Sequence, residues 1–318
     1  MITISDIREA AARIAPYILR TPLSRVPALD SILGCEVYLK PESLQYTGSF
    51  KLRGATNALL CLNEEERARG IVCCSSGNHA QGVACAAARL GIDAIVVMPE
   101  NANPVKLAGV RAFGATIQLA GVLDSERNAA ANRLAEAGRV MIPPYDNDRI
   151  RAGQGTIALE ILADQPQLDT VVVPLGGGGL LSGIAVGAKS LSPTIRTIGA
   201  EPAGARRYGL SRQAGHPVVL ETVDTIADGT RTDRANPNSF SILEHFVDQL
   251  VSTEDAALRD AIRLLALKAK LIAEPSAALG VAAALSGSLR LRPTEKVCFV
   301  LSGGNIDPRL LTEILSEA

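Results

Sequence analysis

Short runs of β-branched and aliphatic residues alternate along the chain with longer segments that mix small apolar and polar positions. The runs "GIVCCSS", "DAIVVMP", "ATIQLA", "RVMIPPY", "LDTVVVPLG", "RTIGAEP" and "KVCFVLSGG" predict strands, most of them apolar on both faces. Between them, "GNHAQGVACAAARLG" predicts a helix closed by Gly91, and "NPVKLAGVRAFG" one entered through Pro104 and left at Gly114. "SERNAAANRLAEAG", "GQGTIALEILADQP" and "GGLLSGIAVGAKSL" predict three more, and "EDAALRDAIRLLALKAKLIAEPSAALGVAAAL" two helices broken at Pro275. Strict alternation of the two element types argues for an α/β fold of mostly parallel sheets flanked by helices. A compact run of βα units at 69–146 is expected to form a small second domain, inserted into a large domain made of residues 1–68 and 147–318.

Composition narrows the function. In 318 residues, 32 Lys and Arg nearly balance 33 Asp and Glu, so no broad field favours nucleic acid or anionic lipid. Trp is absent and only five Phe and five Tyr occur, too few for a base-stacking platform. No stretch approaches the ~20 apolar residues that cross a bilayer, and the acidic residues early in "MITISDIREAAARIAPYILRTPL" exclude a signal peptide. The six cysteines form no CxxC pair, consistent with reduced thiols in a cytoplasmic protein.

In doubly wound folds ligands sit where strands end in glycine-rich turns that open helices. Three turns have this form: Ser75, Ser76, Gly77, Asn78 and His79; then Gly176, Gly177, Gly178 and Gly179 before Leu180; then Ser302, Gly303, Gly304 and Asn305. Four successive glycines let several backbone N–H groups converge on one anion, and the following helix adds its N-terminal charge, which suits a phosphate. A nucleotide remains open at this point: Glu201 closes the next strand, where a ribose-binding acid would sit, although no full G-x-G-x-x-G is present. "YTGSFKLRG" places Lys51 among small and hydroxylated residues, an unusual setting for surface charge. A reactive amine, a phosphate cup and donors for a carboxylate are together what pyridoxal phosphate chemistry requires.

"TGSFKLRGA", "SSGNHAQG", "GQGTIALE", "VVPLGGGGLLSGIA", "ADG" and "LSGGNID" stand in the order found in the fold-type II pyridoxal phosphate enzymes. Over nearly the whole chain the sequence resembles their serine/threonine dehydratase and serine racemase branch. The resemblance implies that Lys51 joins the cofactor as a Schiff base and that Phe50 packs on the pyridine ring. It places the phosphate on Gly176 to Gly179 and the Leu180 backbone, Asn78 on the ring hydroxyl and Ser302 at the pyridine nitrogen. Ser75, Asn78 and His79 take the substrate carboxylate. Ser302 either serves the ring or caps its own turn; Ser76 is either an acid/base group on the opposite face of Cα or a helix cap. His216 and His245 carry no supporting motif.

The implied reaction is β-elimination from a small hydroxy amino acid: serine, threonine or 3-hydroxyaspartate. Racemisation is the nearer alternative and a nicotinamide-dependent dehydrogenase the remote one. Many relatives hold a divalent cation on an acid in "xEP", a carbonyl four residues on and a second acid two beyond. Glu201 and Ala205 fill the first two positions here, but the third is Arg207. No metal is therefore expected; Arg207 or Arg206 pairs with Glu201 in its place. Arg231 and Arg234 in "ADGTRTDRANP" are candidates for a second substrate carboxylate. The resemblance also implies a homodimer, and the short segment after "LSGGNID" leaves no effector domain expected.

Overall fold

The structure, a computed structural model, describes residues 1–102 and 104–317. Its strands are β1 (Ser24–Arg25), β2 (Glu36–Pro41), β3 (Ile71–Cys74), β4 (Ala94–Met98), β5 (Thr116–Leu119), β6 (Val140–Met141), β7 (Thr170–Pro174), β8 (Arg196–Pro202), β9 (Gln249–Thr253) and β10 (Lys296–Leu301). They form two sheets, β1-β2-β10-β7-β8-β9 and β5-β4-β3-β6. Every pairing is parallel except β1 with β2. The protein is thus α/β, with two mostly parallel sheets flanked by helices, and the smaller sheet falls entirely within 69–146.

The buried strands are the ones whose sequences lack a polar face: all of β7 and nearly all of β8 and β10 are buried. Val172, Ile198 and Phe299 meet Leu279 and Ala282 of the helix Pro275–Leu285 in the core of the large sheet. In the small sheet Ile71, Cys73, Val96 and Met98 pack against Val83 and Ala84 of the helix Asn78–Leu90. Leu52, Ala55 and Leu59 of the helix Lys51–Leu60 belong to that same cluster, so this helix lies against the core of the smaller sheet.

Two expectations need correction. "RVMIPPY" yields a strand of only Val140–Met141, because Pro143 and Pro144 carry no N–H to continue the ladder. The break in the long C-terminal helical stretch is not at Pro275. The helix Asp255–Leu264 continues as a π turn, Leu265–Ala269, and stops at Lys270, whose φ is 58°. Pro275 instead opens the next helix at its first position, where its fixed φ fits and its missing N–H costs nothing. The helix Lys51–Leu60 and strands β2 and β9 were not legible from periodicity.

Arg53 ties the Lys51 helix to the rest of the molecule. Its guanidinium is fully buried, with Nε 2.8 Å from Glu42 Oε2 and Nη1 2.7 Å from Glu160 Oε1. Lys40 Nζ reaches Glu160 at 2.6 Å and donates to the Thr21 carbonyl at the same distance. These charges sit within one hydrogen-bonded network, the arrangement under which buried ions are tolerated.

Candidate active site

The turns after β3, β7 and β10 open into one cavity of about 900 Å³, lined among others by Lys51, Ser76, Asn78, Gly176–Gly179, Glu274 and Ser302. Phe50 and Lys51 reach it because the segment before their helix is pinned to the last turn. Phe50 N–H donates to the Ser302 carbonyl at 3.0 Å, and Ser49 bridges to Gly303.

Lys51 Nζ donates to the Pro144 carbonyl at 2.7 Å and lies 5.2 Å from the centre of the Phe50 ring. Burial lowers its pKa to about 8, partly opposed by the Glu274 carboxylate. An amine in this state supplies a substantial neutral fraction near neutral pH, which a solvated lysine does not.

Sequence reasoning missed Glu274, which follows a break and precedes Pro275 without a motif of its own kind. It is almost fully buried, and Asn78 Nδ2 donates to its Oε1 at 2.7 Å. Asn305 Nδ2 in turn donates to Asn78 Oδ1 at 2.7 Å and to the Thr47 carbonyl at 2.9 Å. Burial first, then Asp228, raises the Glu274 pKa to about 7, with the Asn78 hydrogen bond acting against the shift. Lys51 and Glu274 are therefore two groups poised close to neutrality in one cavity, a pattern associated with proton transfer.

The glycine turn fits a phosphate by what it lacks. Gly178 has φ 90°, and a Cβ there would meet Ser239 Cβ at 2.5 Å and the Tyr208 hydroxyl at 2.7 Å. A Cβ on Gly177 would strike the Tyr145 ring at 2.3 Å. No protein group among the described residues accepts from the N–H groups of Gly176, Gly177 and Gly178. Gly179 then opens the helix Gly179–Leu191, so the helix's first N–H groups and partial positive charge lie at this turn. The residues present fit the phosphate of pyridoxal phosphate.

The remaining expected residues divide on geometry. Ser76 lines the cavity and does not cap the helix; Gly77 occupies that position, and no side-chain cap bond is made. Ser302 is buried and lines the cavity. The Ser75 hydroxyl accepts from Gly77 N–H at 3.2 Å. His79 is buried, with Nε2 2.9 Å from the Ile142 carbonyl. A carbonyl can only accept, so Nε2 carries the proton. Burial, reinforced by the Lys51 charge, depresses the His79 pKa to about 3 and keeps the ring neutral. Its Nδ1 is then an acceptor, so the ring has no N–H left to donate to an anion in the cavity. Leu180 lies at the turn with its side chain in the core.

Glu201 is not a ribose-binding acid. It is buried, and both carboxylate oxygens are engaged, accepting from Tyr208 N–H at 3.0 Å and Gly209 N–H at 2.8 Å. Arg207 Nη1 stands 3.9 Å from Glu201 Oε1, whereas Arg206 is exposed. Arg231 lines the cavity, with Nε donating to the Thr225 carbonyl at 2.7 Å. Arg234 does not line it; that side chain is exposed and paired with Asp233. All six cysteines are free. No helix among the described residues is long and apolar enough to cross a membrane.

The family model described as "Pyridoxal-phosphate dependent enzyme" matches residues 14–303. The chain belongs to that family. It is 42% identical over 318 residues to the L-threonine ammonia-lyase of Thermotoga maritima, covering 100% of this chain and 79% of that one. It is 40% identical over 315 residues to the L-threo-3-hydroxyaspartate ammonia-lyase of Saccharomyces cerevisiae, covering 99% and 96%. Maize serine racemase superposes with a TM-score of 0.94 at 38% identity, covering 98% and 96%. This pyridoxal-phosphate dependent enzyme therefore stands among ammonia-lyases and serine racemases.

Proposed function

We propose that the protein is an ammonia-lyase that removes water from a β-hydroxy amino acid and releases a 2-oxo acid and ammonia. The observation that carries this reading is Lys51, a buried amine with its pKa near 8 in the cavity that also holds the glycine turn. When bound, pyridoxal phosphate supplies an electron sink that acidifies the Cα–H of the amino acid. Lys51 would hold the cofactor covalently, and its Nζ would take the Cα proton of the substrate. The substrate carboxylate sits at the N-terminus of the helix Asn78–Leu90, beside Ser75 and the backbone of Asn78 and His79. Ser302 would face the pyridine nitrogen with a hydroxyl, which unlike a carboxylate does not keep that nitrogen protonated, and this favours loss of a β-substituent over transamination. The hydroxyl leaves Cβ as water, and the released enamine hydrolyses to the 2-oxo acid and ammonia.

Racemisation is the second reading, favoured by the Ser76 hydroxyl. It lines the cavity and is not committed to capping the helix, so it is available to protonate the opposite face of Cα. Closure of the 69–146 segment over the cleft would carry Ser76 toward the substrate and exclude water. Arg231 at the cavity supports a place for a second carboxylate, as in 3-hydroxyaspartate; serine and threonine fit the same chemistry. Independence from divalent metal, homodimeric assembly and a cytoplasmic location belong to the same reading. The test is to load the full chain with pyridoxal phosphate and present L-threonine, L-serine and L-threo-3-hydroxyaspartate. Equimolar 2-oxo acid and ammonia from at least one of them is expected. D-serine without either product would instead make the protein a racemase.

A further inference from the structure

The glycine turn is held from behind by two adjacent residues. Arg207 Nη2 donates to the carbonyls of Leu175, at 3.3 Å, and of Gly176, while Nη1 donates to the Ala205 carbonyl at 2.5 Å. The Tyr208 hydroxyl donates to the Gly177 carbonyl at 3.0 Å. Three consecutive carbonyls of the turn thus face one side chain pair, and both side chains are fully buried. A trans peptide unit points its C=O and N–H in opposite directions. Fixing the carbonyls of Leu175, Gly176 and Gly177 therefore turns the N–H groups of Gly176, Gly177 and Gly178 toward the cavity that these glycines line.

The pair is anchored in its turn. Arg207 and Tyr208 begin the helix Arg207–Ala214, and the Glu201 carboxylate at the end of β8 accepts from the N–H groups of Tyr208 and Gly209 there. Asn236 N–H donates to the Tyr208 oxygen at 3.1 Å, which directs the phenolic hydrogen to Gly177. Leaving these carbonyls without partners in a buried site would cost more than forming the bonds gains, so the arrangement is rigid in one orientation.

We propose that Arg207 and Tyr208 are positioning residues that preorganise the phosphate-binding face of the Gly176–Gly179 turn. The proposal rests on the reading that this turn holds the cofactor phosphate. It predicts a loss specific to ligands that carry a phosphate, because the clamp touches the turn and not the ring-binding residues Phe50, Asn78 or Ser302.

The experiment titrates full-length apoprotein with pyridoxal phosphate and, separately, with pyridoxal, which lacks the phosphate. Tyr208→Phe is expected to weaken pyridoxal phosphate binding about tenfold and Arg207→Gln about a hundredfold, the range for lost neutral and charge-assisted hydrogen bonds. Pyridoxal is expected to bind both variants as it binds the wild-type protein. Tyr208→Phe removes a single oxygen and carries the test even if Arg207→Gln does not fold. Unchanged pyridoxal phosphate affinity in Tyr208→Phe, or an equal weakening toward both ligands, would overturn the clamp. Failure of the wild-type protein to prefer pyridoxal phosphate over pyridoxal would overturn the phosphate reading itself, and the clamp with it.

Discussion

Lys51 shows how a single residue acquires chemistry from its surroundings. Desolvation in the cavity lowers its pKa to about 8, while Glu274 pulls the other way. Only the neutral amine attacks an aldehyde. Capture of pyridoxal by the apoprotein should therefore rise with pH to a midpoint near 8. In Glu274→Gln the midpoint should fall further, since the charge that favours the ammonium is gone. A midpoint near the ~10.4 of a free lysine would contradict the burial argument. Ser76 separates the two chemistries. Ser76→Ala should leave elimination from an L-substrate within about tenfold, ~1.4 kcal/mol in the barrier. Any interconversion of D- and L-serine should disappear with the lost donor. Racemisation that persists in the variant would assign the second proton to another group.

At the scale of elements, the site depends on how firmly the Lys51 helix is held. Arg53 is fixed by Glu42 and Glu160, and Glu42 is itself fully buried. Arg53→Met should cost about 3–5 kcal/mol by stranding that carboxylate, read as a lower denaturation midpoint. A double variant with Glu42→Leu should recover part of the loss; no recovery would place the damage in packing rather than charge. Much of this element level was legible in the sequence. "VVVPLGGGG" and "CCSSGNH" announced strand, turn and helix because a buried parallel strand must be apolar and its turn must be small. The Lys51 helix was not legible, since both its faces meet protein and no polar stripe marks its period. Glu274 was hidden for a related reason: its role comes from Asn78 and Lys51, both distant in sequence, and no local spacing records that. Histidine in "SSGNH" was visible as a site residue, but the direction of its ring required the Ile142 carbonyl.

For the whole molecule, two mostly parallel sheets place three glycine-bearing turns around one cavity, and the chemistry follows from what each turn contributes. The large sheet supplies the Gly176–Gly179 turn and Ser302, and the small sheet supplies Ser76 and Asn78. Arg207 is buried near Glu201, at the position where the resemblance would place the second acid of a cation site. Protein washed with chelator should then contain no stoichiometric divalent metal and lose no activity; tightly bound metal in equimolar amount would refute this. The central claim is that Lys51 is the amine that carries the cofactor. It is tested most directly by reducing the pyridoxal-phosphate-loaded protein with borohydride and mapping the labelled peptide by mass spectrometry. A single pyridoxyl group on Lys51 is predicted, absent from Lys51→Ala; a label on any other lysine of the wild-type protein, or none, would contradict the account.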